Sequence, residues 1–185
     1  MTNNKKTAAW GGFDLSTTGL ALGVRSKSGE EAYVQAKMRG ATKWRGQPAF
    51  DLQQTPRMIL SLLDALEKQG WDVSGMTLSF AVRQHDMVLL DKKGQLMMPA
   101  LSWQCNAASK QLQQLRQMGA EESVGRVEER FILPKLMWAL SQAPTMRKSV
   151  AQVMTTGDWI ATMLTGKARL FTSDALSNGL LLQQN

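Results

Sequence analysis

The sequence predicts an α/β fold with a mixed sheet, on three observations. Residues 8–14, 18–26 and 31–38 have strand composition and follow one another across Gly- and Ser-containing turns, which makes an antiparallel meander. The segment "DLQQTPRMILSLLDALEKQG" is a strongly periodic helix. After it, "GMTLSFAV" (75–82) reads as a buried strand. Strand, strand, strand, helix, strand is the order of an α/β domain whose sheet is mixed.

Each element follows from its residues. In "AAWGGFDLSTTGLALGV" two apolar runs flank a turn of Gly, Ser and Thr, and "SKSGE" closes the second strand. The segment 31–38, "EAYVQAKM", alternates as a half-exposed strand should. Residues 39–50, "RGATKWRGQPAF", show no clean period and are expected to be a loop. In the helix, Leu52, Met58, Leu62, Leu63 and Leu66 recur at helical spacing, Pro56 suits the first turn and Gly70 supplies a stop. Residues 87–103 read as a hairpin inserted around Lys92, Lys93 and Gly94. Residues 106–118, 121–130, 134–141 and 144–150 have helical composition, with Pro134 and Pro144 at helix starts. "QVMTTG" is a short strand or an extended link, and 158–166 is a short helix with Asp158 near its start and Gly166 at its stop. The tail has no closing element, as if cut from a longer chain.

Composition sets the bounds. The 185 residues are 43% hydrophobic and 20% charged, enough for a globular core. No apolar run reaches the roughly 18 residues of a membrane span, and the start "MTNNKKTAAW" lacks the apolar segment of a secretory signal. Cys105 is the only cysteine, which rules out an internal disulfide and fits a reduced, cytoplasmic protein. The net charge of +7 attracts phosphates. The basic residues are scattered, with the densest groups at Lys5–Lys6, Arg39–Lys43–Arg45, Lys92–Lys93 and Arg147–Lys148, and they are not interleaved with aromatics. That pattern argues against a nucleic-acid surface. The twelve methionines sit among apolar neighbours and read as core.

Two stretches carry chemistry. In "DLSTTG" a strand delivers Asp14 into Ser16, Thr17, Thr18 and Gly19. Such a loop can offer hydroxyls and backbone N–H groups to a phosphate. The adjacent acid then makes sense with a hydrated Mg²⁺ between the two. The same residues also make a plain hairpin in which Asp14 caps the turn. In "VRQHDMVLLD", Arg83, Gln84, His85 and Asp86 follow a buried strand, where α/β sheets present ligand contacts. A solvated loop is the other reading. A single histidine and a single cysteine leave no metal cluster or Ser/His/Asp array, and GxGxxG and GxxxxGK[ST] motifs are absent.

Taken in order, "GFDLSTTGLALGV", "AVRQHDMVLLDKKGQLMMPALSW", "LPKLMWAL", "GDWIATMLTG" and "SDALSNG" resemble the N-terminal half of the FGGY carbohydrate kinases, closest to xylulokinases. Each motif is weak alone, but the ordered set covers about residues 8 to 180. The resemblance implies a ribonuclease-H-like lobe of the actin-like ATPase superfamily, with a mixed five-stranded sheet flanked by helices. It also implies ATP-dependent phosphorylation of a sugar or polyol hydroxyl, with ATP and Mg²⁺ as cofactors. Carried over position by position, Asp14 would hold the Mg²⁺–nucleotide through water, and Ser16, Thr17 and Thr18 would face the phosphate. Gln84, His85 and Trp103 would contact or wall the sugar, with Arg83, Asp158, Trp159 and Asp174 as weaker candidates. Lys135 and Trp138 would be structural.

The chain also departs from the family pattern. Gln104, Cys105 and Ala107 stand where the resemblance expects Asn, Asp and Arg. Ser16 replaces a glycine, Gly157 a lysine, and Leu170–Phe171 a polar pair. Family kinases carry a second domain with the catalytic base and most of the adenine pocket. The resemblance therefore makes residues 1–185 the substrate-binding lobe without the ATP-binding lobe, inactive alone. It leaves a homodimer open. The rival expectations are a sugar-binding protein without catalysis and a basic nucleic-acid-binding module.

Overall fold

A computed structural model describes residues 5–38 and 40–181. The first four residues of the N-terminal stretch, Arg39 of the basic group and 182–185 of the tail lie outside the described residues. The chain forms two compact units, one of Met1–Gly40 with Gln53–Val82, the other of Ala41–Leu52 with Arg83–Asn185.

The first unit contains the predicted meander. β1 (Lys6–Leu15), β2 (Gly19–Ser26) and β3 (Glu31–Lys37) pair antiparallel in sequence order. β6 (Trp71–Asp72) and β7 (Thr77–Val82) both pair with β1 in parallel, so the five-stranded sheet is mixed as predicted. Alternation sorts its side chains. Phe13, Leu22 and Val34 lie in one cross-strand row and are buried. Asp14, Ala21 and Gln35 form the next row on the opposite face. Phe80 of β7 stacks on Phe13 with ring centroids 5.7 Å apart. Helix α1 (Thr55–Lys68) packs on β2 and β3. Its buried stripe is Thr55, Ile59, Leu62 and Leu66, each apolar member worth about 1.5–3 kcal/mol when fully buried. Pro56 lies in the first turn, where its missing N–H costs nothing.

The second unit corrects four expectations. Residues 39–50 are not a loop, because β4 (Ala41–Trp44) and β5 (Gln47–Phe50) form a hairpin there. Its two-residue connection, Arg45–Gly46, has φ values of 49° and 80°, the signature of a type I′ turn. Residues 87–103 do form the predicted hairpin, turning at Asp91–Gln95, but its strands belong to a sheet and are not an insertion. β8 (Met87–Asp91) and β9 (Ala100–Leu101) join β4, β5 and β10 (Val150–Thr155) in a second five-stranded sheet, ordered β10-β8-β9-β5-β4. β8 is buried from Met87 to Leu90, as a strand covered on both faces must be.

Helices α2 (Ser109–Gln117), α4 (Ile132–Gln142) and α5 (Thr156–Thr165) follow the predicted order, while α6 (Thr172–Ser177) lies in the tail, for which no element was expected. The predicted helix 121–130 is only α3 (Ala120–Val124), stopped by Gly125 at φ 76°. The predicted helix 144–150 is a 3₁₀ turn over Pro144–Lys148, after which Val150 already belongs to β10. Met87, Leu89, Leu101, Ile132 and Trp138 anchor this unit's core. Trp44 meets Trp138 edge to face at 5.5 Å.

α5 shows how sequence chemistry sets a boundary. Thr155 Oγ1 accepts from the Asp158 backbone N–H at 3.1 Å, and Asp158 Oδ2 accepts from the Thr155 backbone N–H at 3.3 Å. This reciprocal capping box satisfies two helix-start donors. Gly166, at φ 68°, ends the helix in the left-handed conformation.

Candidate functional site

The residues singled out by sequence fall into two groups, one in each unit.

In the first unit, Asp14 stands near the C-terminal end of β1, on the face opposite α1, and is exposed. It lines an open hollow of about 500 Å³ with Ser16, Thr18, Tyr33, Gln35 and Lys37. Thr17 is exposed at the tip of the turn and is not part of that lining. Ser16 staples the turn. Its Oγ accepts from the N–H groups of Gly19 at 3.1 Å and Thr18 at 3.3 Å, and its own N–H donates to Gly19 O at 3.0 Å. Those three N–H groups are therefore engaged inside the loop. The side chains at hand for a ligand are the Asp14 carboxylate, the Thr17 and Thr18 hydroxyls and, from β3, the Lys37 ammonium. Lys37 was not legible as a site residue, since only its pairing opposite Gly19 brings it to the turn.

This oxygen-rich set suits a hydrated hard cation, which keeps most of its water and takes one or two carboxylates. Among the described residues no group of three His, Cys, Asp or Glu side chains could hold a bare metal ion. A Mg²⁺ reached through water from Asp14 would fit such a set, and Lys37 is a cation lining the same hollow.

In the second unit, the turn 83–86 is locked from beneath. Arg83 Nε donates to Asp86 Oδ2 at 2.5 Å, both side chains buried. The Arg83 guanidinium lies 3.9 Å from the centre of the Phe50 ring. Asp86 Oδ1 accepts from the Trp103 backbone N–H at 2.9 Å. Lys135 reaches from α4, fully buried, to donate to the carbonyls of His85 and of Ser102, the latter at 3.2 Å. Burial brings the Lys135 ammonium down to about 8, against the pull of Asp86. Burial pushes the Asp86 carboxyl up, with Arg83 opposing. One carboxylate and two cations thus bind the turn 83–86 to the segment 102–103: Asp86 pairs with Arg83, and the buried Lys135 is met by two main-chain carbonyls.

This frame presents Gln84, exposed, its amide donating to Ser177 Oγ at 3.3 Å. It presents Trp103, 43% exposed, and His85, only 9% exposed, whose ring stacks on Phe131 at 4.8 Å. His85 holds a left-handed backbone, φ 68°, unusual outside glycine. An amide, an indole and an imidazole on a rigid base suit a neutral ligand bearing hydroxyl groups and apolar C–H faces.

The weaker candidates divide. Asp158 is consumed by structure, since its Oδ2 belongs to the capping box and its Oδ1 accepts from Phe171 N–H at 2.9 Å. Trp159 is buried. Asp174 is half-buried, 3.5 Å from Thr155 Oγ1, its carboxyl pushed up by burial and by the charge of Asp158. Asn178, fully buried beside His85, went unnoticed in the sequence.

With that geometry in hand, comparison with known proteins assigns the class. Residues 9–180 match the N-terminal domain of the FGGY family of carbohydrate kinases, and the chain belongs to that family. It is 27% identical over 179 residues to a xylulose kinase of Bacillus subtilis, covering 92% of this chain and 36% of the relative. It is 25% identical over 171 residues to a xylulose kinase of Escherichia coli K12, covering 89% and 35%. The chain thus spans about a third of the length of the curated relatives it matches. Its fold superposes on a xylulose kinase from Rhodospirillum rubrum with a TM-score of 0.80, at 20% identity over 94% of this chain and 38% of that one. A glycerol kinase from Plasmodium falciparum, solved with ADP, gives 0.70 at 9% identity, covering 94% and 42%. The fold is that of the actin-like ATPase superfamily. Among the described residues, no helix is long and apolar enough to cross a membrane.

Proposed function

We propose that the chain is the sugar-binding, N-terminal part of a cytoplasmic ATP-dependent carbohydrate kinase whose substrate is a pentulose such as xylulose. One observation carries the proposal. In a member of this family, Gln84 and His85 on the turn 83–86 and Trp103 on the segment tied to it are presented on a frame of buried Arg83, Asp86 and Lys135 side chains. Such rigidity is what a binding face for a small polyhydroxyl ligand needs, because the ordering cost is met before the ligand arrives.

Asp14 would hold Mg²⁺ through water, and Thr17, Thr18 and Lys37 would face the phosphates. Mg²⁺–ATP supplies the phosphoryl group and screens its charge. Gln84 and His85 orient the sugar's hydroxyls and Trp103 covers a C–H face. The base that takes the attacking hydroxyl's proton lies, in this reading, in a second domain that also completes the adenine site. Phosphoryl transfer depends on positioning and charge, so this chain alone binds without turning over.

Calorimetry with D-xylulose, glycerol and D-gluconate tests the first part, with saturable D-xylulose binding weakened by Trp103→Ala expected. Binding of none of the three, or equal binding of all, overturns it. Sugar-dependent ADP release by the 185-residue protein, abolished by Asp14→Ala, would overturn the second.

One observation favours a second reading, a sugar-binding protein without catalysis. Cys105 stands where the family pattern expects an acid, and it is buried in the apolar core. D-xylulose binding by the longer native protein with no ATP turnover would decide for it.

A further inference from the structure

We infer that Asn178 is a positioning residue that holds His85 as the Nδ1–H tautomer, leaving Nε2 as a hydrogen-bond acceptor for a sugar hydroxyl. The second half of this inference rests on the sugar-binding reading, and the first half does not.

The argument is a matter of donors and acceptors. The Asn178 side chain touches two backbone groups whose roles are fixed. Its Nδ2 donates to the Asp174 carbonyl at 2.8 Å, and its Oδ1 accepts from the Ile132 N–H at 3.3 Å. A carbonyl cannot donate and a backbone N–H cannot accept, so the amide has one permitted orientation. His85 Nδ1 lies 2.9 Å from that same Oδ1. The contact is a hydrogen bond only if Nδ1 carries the proton.

The ring must also be neutral for Nε2 to accept. Burial holds the imidazole below its ordinary range, and Lys135 of α4 and Arg130 just before α4 disfavour a further positive charge. Glu128 and Asp174 pull the other way, as does the Asn178 contact itself. The other degrees of freedom are already fixed. Phe131 stacks on the ring, Lys135 binds the His85 carbonyl and Asn178 is buried. A ring held in this way discriminates, because it accepts from a hydroxyl and gains nothing from a second acceptor.

The test uses a convenience of the sequence, since His85 is the only histidine. The untagged protein, labelled with ¹⁵N-histidine, gives one set of imidazole signals in a long-range ¹H–¹⁵N correlation spectrum. At neutral pH the expected pattern is pyrrole-type Nδ1 and pyridine-type Nε2. The opposite pattern, or an average of the two, overturns the inference from the wild type alone. In Asn178→Leu the signals should move toward the mixed tautomers of free histidine, and D-xylulose affinity should fall about tenfold. Unchanged signals in a folded Asn178→Leu would show that another group sets the tautomer, and would also overturn it. Asn178→Asp keeps an acceptor in place, and there the histidine should titrate about one pH unit or more higher. A fixed Nδ1–H tautomer in a protein that binds no D-xylulose would sink the sugar-binding reading and leave the tautomer assignment standing.

Discussion

Lys135, buried in α4, donates to the main-chain carbonyl of His85, whose own backbone is left-handed. A left-handed non-glycine residue costs on the order of 1–3 kcal/mol and persists only where its surroundings enforce it. The lysine is that enforcement, and its sign of charge matters less than its N–H groups. A neutral amine still has two, one for the His85 carbonyl and one for that of Ser102.

Stability should therefore rise with pH in the alkaline range. The Lys135 ammonium is lowered to about 8 in the fold, against 10.5 in the open chain. Between those values the unfolded chain binds more protons, so unfolding becomes harder as pH increases. At 1.36 kcal/mol for each pH unit the full gain is about 3 kcal/mol. Urea unfolding at several pH values from 7.5 to 10 should show the rise in the wild type and lose it in Lys135→Met. Equal slopes in the two proteins would refute the assignment.

The start of α5 should be sensitive in a graded way. Thr155→Val removes one side of the capping box and should cost about 1–2 kcal/mol. Asp158→Ala removes the other side and also the acceptor for the Phe171 N–H, and should cost about 2–3 kcal/mol. Chemical denaturation of both variants checks the order.

The turn after Asp14 separates hydrogen bonding from space. Ser16→Ala removes an oxygen that accepts from two N–H groups in a turn water can reach, a loss of about 1 kcal/mol. In Gly19→Ala the new methyl would meet the Ala36 carbonyl oxygen at 3.0 Å, and backbone must give way. That variant should lose about 1–3 kcal/mol, more than Ser16→Ala. Thermal unfolding of the pair decides.

Cys105 should be a silent thiol. It is 2% exposed and burial pushes its thiol up, so little thiolate is present or reachable. Reaction with a disulfide reagent should run roughly tenfold or more slower in the native protein than in urea. Equal rates would show that this part of the core opens freely.

What the sequence disclosed depended on how local the signal was. The meander, α1 and the Gly166 stop of α5 are written in short-range patterns, and they were legible; the Thr155 cap, which lies before the expected helix start at Asp158, was not. The hairpin β4–β5 was not, because its turn carries Arg45–Gly46 in place of the usual Asn-Gly, and Pro48 argues against a strand. Asp14 was visible because a carboxylate at the end of an apolar strand is locally odd. The buried positions of Lys135 and Asn178 were not visible. They act through residues 50 and 93 positions away, and no periodicity records such partners. Conversely, Asp158, a weaker candidate through the resemblance, gives both its oxygens to backbone N–H groups, those of Thr155 and Phe171.

The path of the chain between its two units sets a schedule for synthesis. The hairpin 41–52 leaves the ribosome between β3 and α1, yet it belongs to the unit completed by residues after 83. β5 pairs with β9 through Phe50 and Ala100, about fifty residues later. At roughly 5–20 residues per second, that edge waits on the order of 3–10 seconds in the nascent chain without its partner. An unpaired edge of this kind invites pairing with neighbouring chains. Pro48, which cannot donate, sits on that strand, so the residue that hid the strand from a sequence reading also guards it while it waits.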